Sequence, residues 1–319
     1  MGGRGRIVRV LVTGGAGFIG SHLTDAFLDR GDDVAVVDDL SAGQPGRLNS
    51  RTILHKFSVT NALLLAAVVQ EFRPGLICHL AAQTDVRASV VDPASDSEVN
   101  VTGTVNVLEA ARANGARVLF ASSGGALYGR DAPLPAAESV PPAPESPYGV
   151  AKLCAEQYIG LYNRLHGTRH AVLRLANVYG PRQDPAGEAG VIAVFCAKVL
   201  VGEAPVIYGD GTQTRDYLYV GDVVRGFLAA VNSGRPGTWN IGTGTEVTVL
   251  DLITIIARIA GRAVTPKFAP ARPGELLRSA VAAHRAAGDL GWRPVTGVAE
   301  GIRSVFRWIE AGAPVRAAC

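Results

Sequence analysis

The stretch "VTGGAGFIG", residues 12–20, constrains this chain more tightly than any other. It follows the apolar run "IVRVLV" and leads into "FIGSHLTDAFLDRG", which reads as a helix closed by Gly31. A strand that turns through glycines into a helix opens a βαβ unit. The residues that follow keep the same rhythm. "DVAVVDD" reads as a strand, "ALLLAAVVQEF" as a helix stopped before Pro74, and "GLICHLAA" as a strand. "SEVNVTGTVNVLEAARANG" reads as one long helix ending at Gly115, and "RVLFASS" as a further strand. Strands of unbroken Val, Ile and Leu are apolar on both faces, so helices must cover the sheet on both sides.

The expected fold class is α/β: a Rossmann-type doubly wound parallel sheet with a smaller C-terminal α/β substrate-binding domain. After about residue 180 the strict alternation ends. "GVIAVFCAKVLVG", "VLDLITIIARIAG" and "GIRSVFRWIEAG" read as helices, the second capped by an upstream Thr, "LYVGDVVRGFLAAVNSG" as a strand end or turn leading into a helix, and "TWNIGTG" as a strand. The expected boundary sets residues 1–176 apart from 177–319, with some segments after 215 returning to the first domain. The tail "APVRAAC" is expected to fray.

Composition excludes several classes. With 48 % hydrophobic and 18 % charged residues the chain can bury a core. A net charge of +3 without a basic run gives no reason to expect nucleic acid. No stretch approaches the roughly 18 uninterrupted apolar residues of a membrane span. The N-terminus is basic and then apolar, but it flows into a glycine turn rather than a cleavage site, so it reads as a strand and the protein as cytoplasmic. Cys78, Cys154, Cys196 and Cys319 have no metal-ligand spacing. They read as small buried hydrophobes in a reducing compartment, and no metal is expected.

Each glycine of the turn has a distinct task in binding a dinucleotide. Gly14 permits the tight turn, Gly17 leaves room for a pyrophosphate against the backbone, and Gly20 lets helix and strand pack closely. The helix N-terminus offers free N–H groups and partial positive charge. The second strand ends in Asp38 and Asp39. A carboxylate at this interval accepts hydrogen bonds from the adenosine ribose and repels a 2′-phosphate, which favours NAD over NADP. Asp38 fits the interval and Asp39 competes with it. Either could instead be a turn or cap residue.

The strand "RVLFASS" delivers Ser122 and Ser123 to the carboxyl edge of the sheet, where open parallel sheets bind ligands. A Pro-rich loop then leads to "ESPYGVAK". Ser146 suits an N-cap, Pro147 the first helical position, and Gly167 ends the helix. Apolar residues recur at Val150, Leu153, Cys154, Leu161 and Leu165, which places Tyr148 and Lys152 one turn apart on one face. A free phenol has a pKa near ~10. A neighbouring ammonium and the helix N-terminus are expected to lower it and make Tyr148 a usable general base. Taken alone, such a pair is more often an exposed helix face.

With "GGAGFIG", "LAAQ", "SSGGALYG", "YGVAK", "RLANVYGP" and "GDGTQTRDYLYVGDV" in this order, the chain resembles the extended short-chain dehydrogenase/reductase family. Within that family it resembles the NAD-dependent nucleotide-sugar 4-epimerases, from Val10 to about Trp292. The resemblance implies a tightly held NAD, a UDP-sugar substrate and a homodimer. It puts the catalytic triad on Ser123, Tyr148 and Lys152, with Ser122 as the alternative because Gly124 and Gly125 blur the register. It implies cofactor contacts from Gly14, Gly17, Phe18, Ile19, Gly20, Asp38, Asp39, Ser41, Gly43, Ser58, Val59, Leu80, Ala81, Ala82 and Gln83, besides Tyr148 and Lys152. It implies substrate contacts from Val86, Ser122, Ser123, Gly124, Tyr148, Asn177, Arg182, Val191, Tyr208, Gln213 and Glu275. Arg215 and Arg272 would clamp the diphosphate, as guanidinium groups suit phosphates. Where the family usually carries an Asp near the adenine, this sequence has Ser58 and Val59.

The reaction so implied takes the proton of the C4 hydroxyl at Tyr148 and passes the C4 hydride to NAD; the 4-keto sugar rotates, the hydride returns to the other face of C4 and the proton to its oxygen. UDP-glucose/UDP-galactose and UDP-glucuronate/UDP-galacturonate are both candidate pairs. A dehydratase or decarboxylase of the family usually has an acidic residue just after the catalytic Ser or Thr. Gly124, Gly125 and Ala126 stand there, which favours the epimerase. A net oxidoreductase that releases its cofactor and a noncatalytic NAD-binding regulator also compete with it.

Overall fold

The first strand, β1 (Arg9–Thr13), is buried along its last four residues and turns through the glycines into α1 (Phe18–Asp29). The structure is a computed structural model that describes residues 8–185, 190–272 and 276–312. Glu275, Cys319 and the tail "APVRAAC" lie outside the described residues.

β2 (Asp33–Val37), β3 (Ile53–His55) and β4 (Leu76–His79) follow, with α2 (Ala62–Phe72) before β4. Asn61 caps α2 by accepting from Leu64 N–H, and Arg73, at φ 48°, ends it ahead of Pro74. Three short elements come next: α3 (Val86–Val91), α4 (Pro93–Ser97) and a π-helical turn (Glu98–Thr102) that runs into α5 (Gly103–Asn114). The single long helix expected here is continuous in its right-handed backbone but widened by the π-helical turn. Thr104 Oγ1 donates to the Asn100 carbonyl at 2.7 Å, inside the widened turn. β5 (Arg117–Ser123), α6 (Gly124–Leu127), α7 (Pro147–His166) and β6 (Ala171–Leu175) complete the chain up to residue 175.

Seven strands form one sheet in the order β11-β6-β5-β4-β1-β2-β3, where β11 is Gly237–Ile241. The β3–β2, β2–β1, β1–β4 and β4–β5 pairs are parallel. The chain divides into two compact units, and the division falls inside β6 and β11. The first unit comprises residues 1–127, 144–173 and 227–238. Its core packs Leu11, Ile77, Val118 and Phe120 of the sheet against Leu65, Val69, Leu108, Ala155 and Ile159 of the helices.

The second unit holds β7 (Asn177–Tyr179), α8 (Val191–Leu200), β8 (Val206–Tyr208), β9 (Thr214–Arg215), β10 (Tyr217–Tyr219) and the first half of α9 (Val220–Ser233). After β11 come β12 (Val247–Thr248), α10 (Val249–Ala260), β13 (Lys267–Ala269), α11 (His284–Leu290) and α12 (Val298–Glu310). α10 starts with a capping box between Thr248 and Asp251 and ends at Gly261, φ 66°. Its core joins Phe195, Leu252, Ile256, Ile302 and Phe306. Among the described residues no helix is long and apolar enough to cross a membrane, and no group of acidic, His and Cys side chains could hold a metal.

On α7 the stripe that reads as core in the sequence is not the buried one. Val150 and Leu165 are exposed, and Leu153 and Cys154 are half-buried. The buried face carries Ala151, Lys152, Ala155, Glu156, Ile159 and Tyr162. Small side chains there let the helix approach its neighbours, and two charged residues share that face.

Candidate active site

The glycine turn is closed by backbone geometry. Gly14 sits at φ 71° and donates to the Val37 carbonyl at 2.8 Å; a Cβ there would stand 2.6 Å from Ala81 N. A Cβ on Gly20 would fall 2.1 Å from the Gly14 oxygen. Gly17 differs, because a Cβ on it would meet only that oxygen, at 3.1 Å. Gly17 is the N-cap of α1 and supplies no side-chain acceptor, so the first-turn N–H groups next to Phe18 and Ile19 have no side-chain cap. A shallow backbone with uncapped donors fits a pyrophosphate.

Asp38 closes β2 and is buried. Its Oδ2 accepts from Ala16 N–H and its Oδ1 from Leu40 N–H, both at 2.9 Å. Burial pushes its carboxyl up from the ordinary range, against those two hydrogen bonds. Gly43 lies beside it, and a Cβ there would stand 2.5 Å from Asp38 Oδ1. Asp39 is exposed and takes the N–H and hydroxyl of Ser41 in a turn. Asp38 therefore sits against the glycine turn, and Asp39 faces outward.

The other cofactor candidates divide by what their side chains already do. Ser58 Oγ accepts from Thr60. The Val59 side chain is in the core and its carbonyl accepts from Asn106, which leaves its N–H. Leu80 and Ala81 N–H groups bond to Thr13, and Leu80, Ala81 and Ala82 are half-buried. The Gln83 side chain is turned away to Asp85 and Asp96. Behind them Thr13 Oγ1 meets His79 Nδ1 at 2.7 Å and His79 Nε2 meets Thr104 Oγ1 at 3.0 Å. Since the Thr104 hydroxyl is spent on Asn100, it accepts from Nε2–H, and the buried His79 is neutral; burial pushes its pKa down to about 3.

Ser146 Oγ accepts from Gly149 N–H, Pro147 takes the first helical position, and Tyr148 N–H donates to Ser89 of α3 at 3.1 Å. The Tyr148 hydroxyl is hydrogen-bonded to the Ser123 side chain. Ser122 is buried and donates to Glu156 at 2.5 Å. The structure thus brings Ser123 to the phenol and turns Ser122 away. Lys152 Nζ donates to the Ala121 carbonyl at 3.2 Å, 4.7 Å from the Phe120 ring centroid and 5.8 Å from that of Tyr148. Gly124 is buried at the start of α6, and Val86 is exposed at the start of α3.

The electrostatics differ from the expectation of a phenol made acidic by its neighbours. Burial pushes Tyr148 up to about 12, with the Ser123 hydrogen bond opposing, and pushes Lys152 down to about 8, with Asp96 and Glu156 opposing. The two values explain each other. An amine that loses its charge near pH 8 is neutral where such a phenol titrates, so in the free protein it cannot stabilise the phenolate. Asp96, which is 1 % exposed, accepts from Gln83 and Asn100 and does not stand out in the sequence. A charged residue on a helix is ordinarily a solvated one. Its local signals, Pro93 and the Asn100 spacing, do not reveal its burial.

In the second unit Asn177 begins β7, and its side-chain oxygen is buried without a partner. Arg182 sits at φ 68°. Arg215 Nη1 donates to the Thr214 carbonyl. The next residue, Asp216, is buried and accepts from the Thr243, Gly244 and Val281 N–H groups and from the Thr243 hydroxyl. The Arg272 guanidinium lies 3.9 Å from the Tyr208 ring centroid, and Gln213 donates to the Tyr208 carbonyl. Val191 opens α8.

A glycine cradle for phosphates and a phenol bonded to a hydroxyl, beside a buried ammonium, mark the class: a dinucleotide-dependent enzyme of the Rossmann fold that works on a hydroxyl-bearing carbon. The chain belongs to the NAD dependent epimerase/dehydratase family, which it matches over residues 10–242. It is 45 % identical to a UDP-glucose 4-epimerase of Mycolicibacterium smegmatis over 309 residues, 95 % of this chain and 99 % of that one. Among solved structures it resembles the UDP-glucose 4-epimerase of Thermotoga maritima with UDP-glucose, at 40 % identity and TM-score 0.94, over 96 % of this chain and all of that one. It also resembles the Thermus thermophilus UDP-glucose 4-epimerase complexed with NAD, at 42 % identity and TM-score 0.90 over the same shares.

Proposed function

We propose that this chain is an NAD-dependent UDP-sugar 4-epimerase, with UDP-glucose and UDP-galactose as its substrate pair. The observation that carries the chemistry is the Ser123–Tyr148 hydrogen bond beside the buried Lys152. The sugar pair rests on the UDP-glucose 4-epimerases to which the chain is similar over almost its whole length.

Bound NAD supplies reversible two-electron chemistry at the sugar C4 and is not consumed. The chain supplies position, charge and a proton site. Gly14, Gly17 and Gly20 hold the pyrophosphate end and Asp38 the adenosine ribose. Tyr148 takes the proton of the C4 hydroxyl and later returns it, and Ser123 shares the hydrogen bond to the same oxygen. Burial disfavours the phenolate, so Lys152 must hold its charge beside it. α6 carries no carboxylate, so an acid for C5–C6 elimination is missing from the segment after Ser123. In the second unit Asn177 offers an unpaired buried acceptor, and Arg215 and Arg272 are the diphosphate ligands. In domain terms, residues 1–176 are the NAD-binding part and residues 177–319 the nucleotide-sugar part, with a segment after 215, Phe227–Thr238, returning to the first.

A homodimer through α3 and α7 accounts for the apolar side chains that these helices expose. Val90, Val91, Val150, Leu161 and Leu165 are among them, and those on α7 lie on one face. A cytoplasmic setting accords with the free thiols of Cys78, Cys154 and Cys196. The test of function is incubation with UDP-glucose, UDP-glucuronate and UDP-N-acetylglucosamine, with products resolved by NMR. UDP-galactose is the expected product, and failure to invert C4 of any of the three overturns the reading.

A further inference from the structure

Asp96 is the only buried residue of α4, and α4 packs on α7, the helix that carries Tyr148 and Lys152. Its Oδ1 accepts from Gln83 Nε2 at 2.9 Å and from Asn100 Nδ2 at 3.0 Å. Its Oδ2 is buried and has no hydrogen-bond partner. The Gln83 amide is itself fixed, because its other donor goes to the Asp85 carbonyl and its oxygen accepts from Asp85 N–H. Two amides drawn from different segments therefore hold a carboxylate whose second oxygen is left unsatisfied. Such an oxygen is costly unless charge nearby offsets it.

The cation that acts on Asp96 is Lys152. The remaining charged groups on the elements packed around Asp96 are Asp85, the half-buried N-cap of α3, and the exposed Arg87 on α3, Asp92 before α4, Glu98 on the π-helical turn, and Arg164 and His166 in the last turn of α7. On α7, Glu156 also acts on Lys152 but is tied to Ser122. Resting on the epimerase reading above, we propose that Asp96 is a positioning residue: a fixed buried counter-charge that sets the pH range in which the Tyr148/Lys152 pair works.

The physical consequence is specific. A carboxylate favours the ammonium and disfavours the phenolate, and Asp96 acts in these directions on Lys152 and Tyr148. Removing its charge lets both groups lose their protons at lower pH. The limbs of the rate profile belong to the coupled Tyr148/Lys152 pair rather than to either group alone, so they move together. A purely structural role would lower the amplitude and leave both limbs in place.

The test compares kcat/KM from pH 5 to 10 for the wild-type holoenzyme, Asp96→Asn and Asp96→Glu. Asp96→Asn is expected to shift both limbs to lower pH by about one unit, and Asp96→Glu to restore them. A second readout needs no turnover. The chain has only four lysines, Lys56, Lys152, Lys198 and Lys267, so the lysine 13Cε resonance of Lys152 can be assigned by its loss in Lys152→Met. Its titration midpoint should fall in Asp96→Asn. If Asp96→Asn does not fold, Asp96→Ser removes the same charge with a smaller side chain and carries the same expectation. Limbs and midpoint that stay in place while the wild type epimerises overturn this inference. A wild type that does not epimerise overturns the functional reading instead.

Discussion

Ser122 and Glu156 are joined side chain to side chain at 2.5 Å, and both are buried. The hydroxyl available to the Tyr148 phenol is therefore that of Ser123. Ser123→Ala should lower kcat by about 10²-fold with little loss of stability. Ser122→Ala should do the reverse, because it removes a buried donor from Glu156, at a cost of about 1–3 kcal/mol. Steady-state kinetics and urea melts on the two variants separate the roles. The assignment fails if Ser122→Ala is the one that loses turnover.

Lys152 gives an edge in the pH dependence of activity. An amine is charged below its pKa, so with burial holding Lys152 near about 8 the ammonium is present at neutral pH and lost above it. The pH dependence of wild-type kcat/KM should break near about 8, where the Tyr148/Lys152 pair loses its first proton. Lys152→Met should be at least about 10²-fold slower at pH 7 and show no such edge, since no charge remains to be lost. An unchanged edge in Lys152→Met assigns it to another group.

Gly43 tests how the coenzyme is held. A methyl there would stand 2.5 Å from Asp38 Oδ1, and the carboxylate would have to move. Gly43→Ala should raise the Kd for NAD by about tenfold, roughly 1.4 kcal/mol, while the apoprotein melts near the wild-type temperature. Calorimetric titration with NAD reads the first and circular dichroism the second. Unaltered affinity would remove Asp38 from the ribose site.

Two buried histidines tie stability to pH. Burial lowers the pKa of His79 to about 3 and of His170 to about 4, from an ordinary value of 6.5. Below pH 6.5 the unfolded chain takes up protons at these rings that the folded chain does not, so stability falls as pH drops toward 4. Each ring contributes at most about 1.4 kcal/mol per pH unit. Buried carboxyls such as Asp38 and Asp216, raised by burial, act in the opposite sense at lower pH. The His170 share is read as the difference between wild type and His170→Gln in urea melts from pH 7 to 4. Parallel curves would show that His170 contributes nothing.

Much of the sheet and its glycine turn is legible because the information is local. The helix Ala62–Phe72 and the strand Arg117–Ser123 have the bounds that Pro74 and the apolar run suggest. What the sequence hides depends on contacts between distant segments. The exposed stripe of α7 reads as its core because an apolar helix face looks the same whichever way it points. The π-helical turn follows from bonds between Thr104, Asn100 and Asp96 that no propensity encodes. Ser122 stays a rival to Ser123 in the sequence, and only the Ser122–Glu156 contact removes it. The expectation of an acidic phenol counts the neighbouring charge and leaves out its burial.

The most direct test of the account is the fate of a label at the reacting carbon. UDP-glucose deuterated at C4 should give UDP-galactose that keeps its deuterium at C4, with no net change in NAD. The Tyr148→Phe protein should be slower by about 10²-fold or more. Deuterium lost to water, or Tyr148→Phe turning over at the wild-type rate, would contradict it.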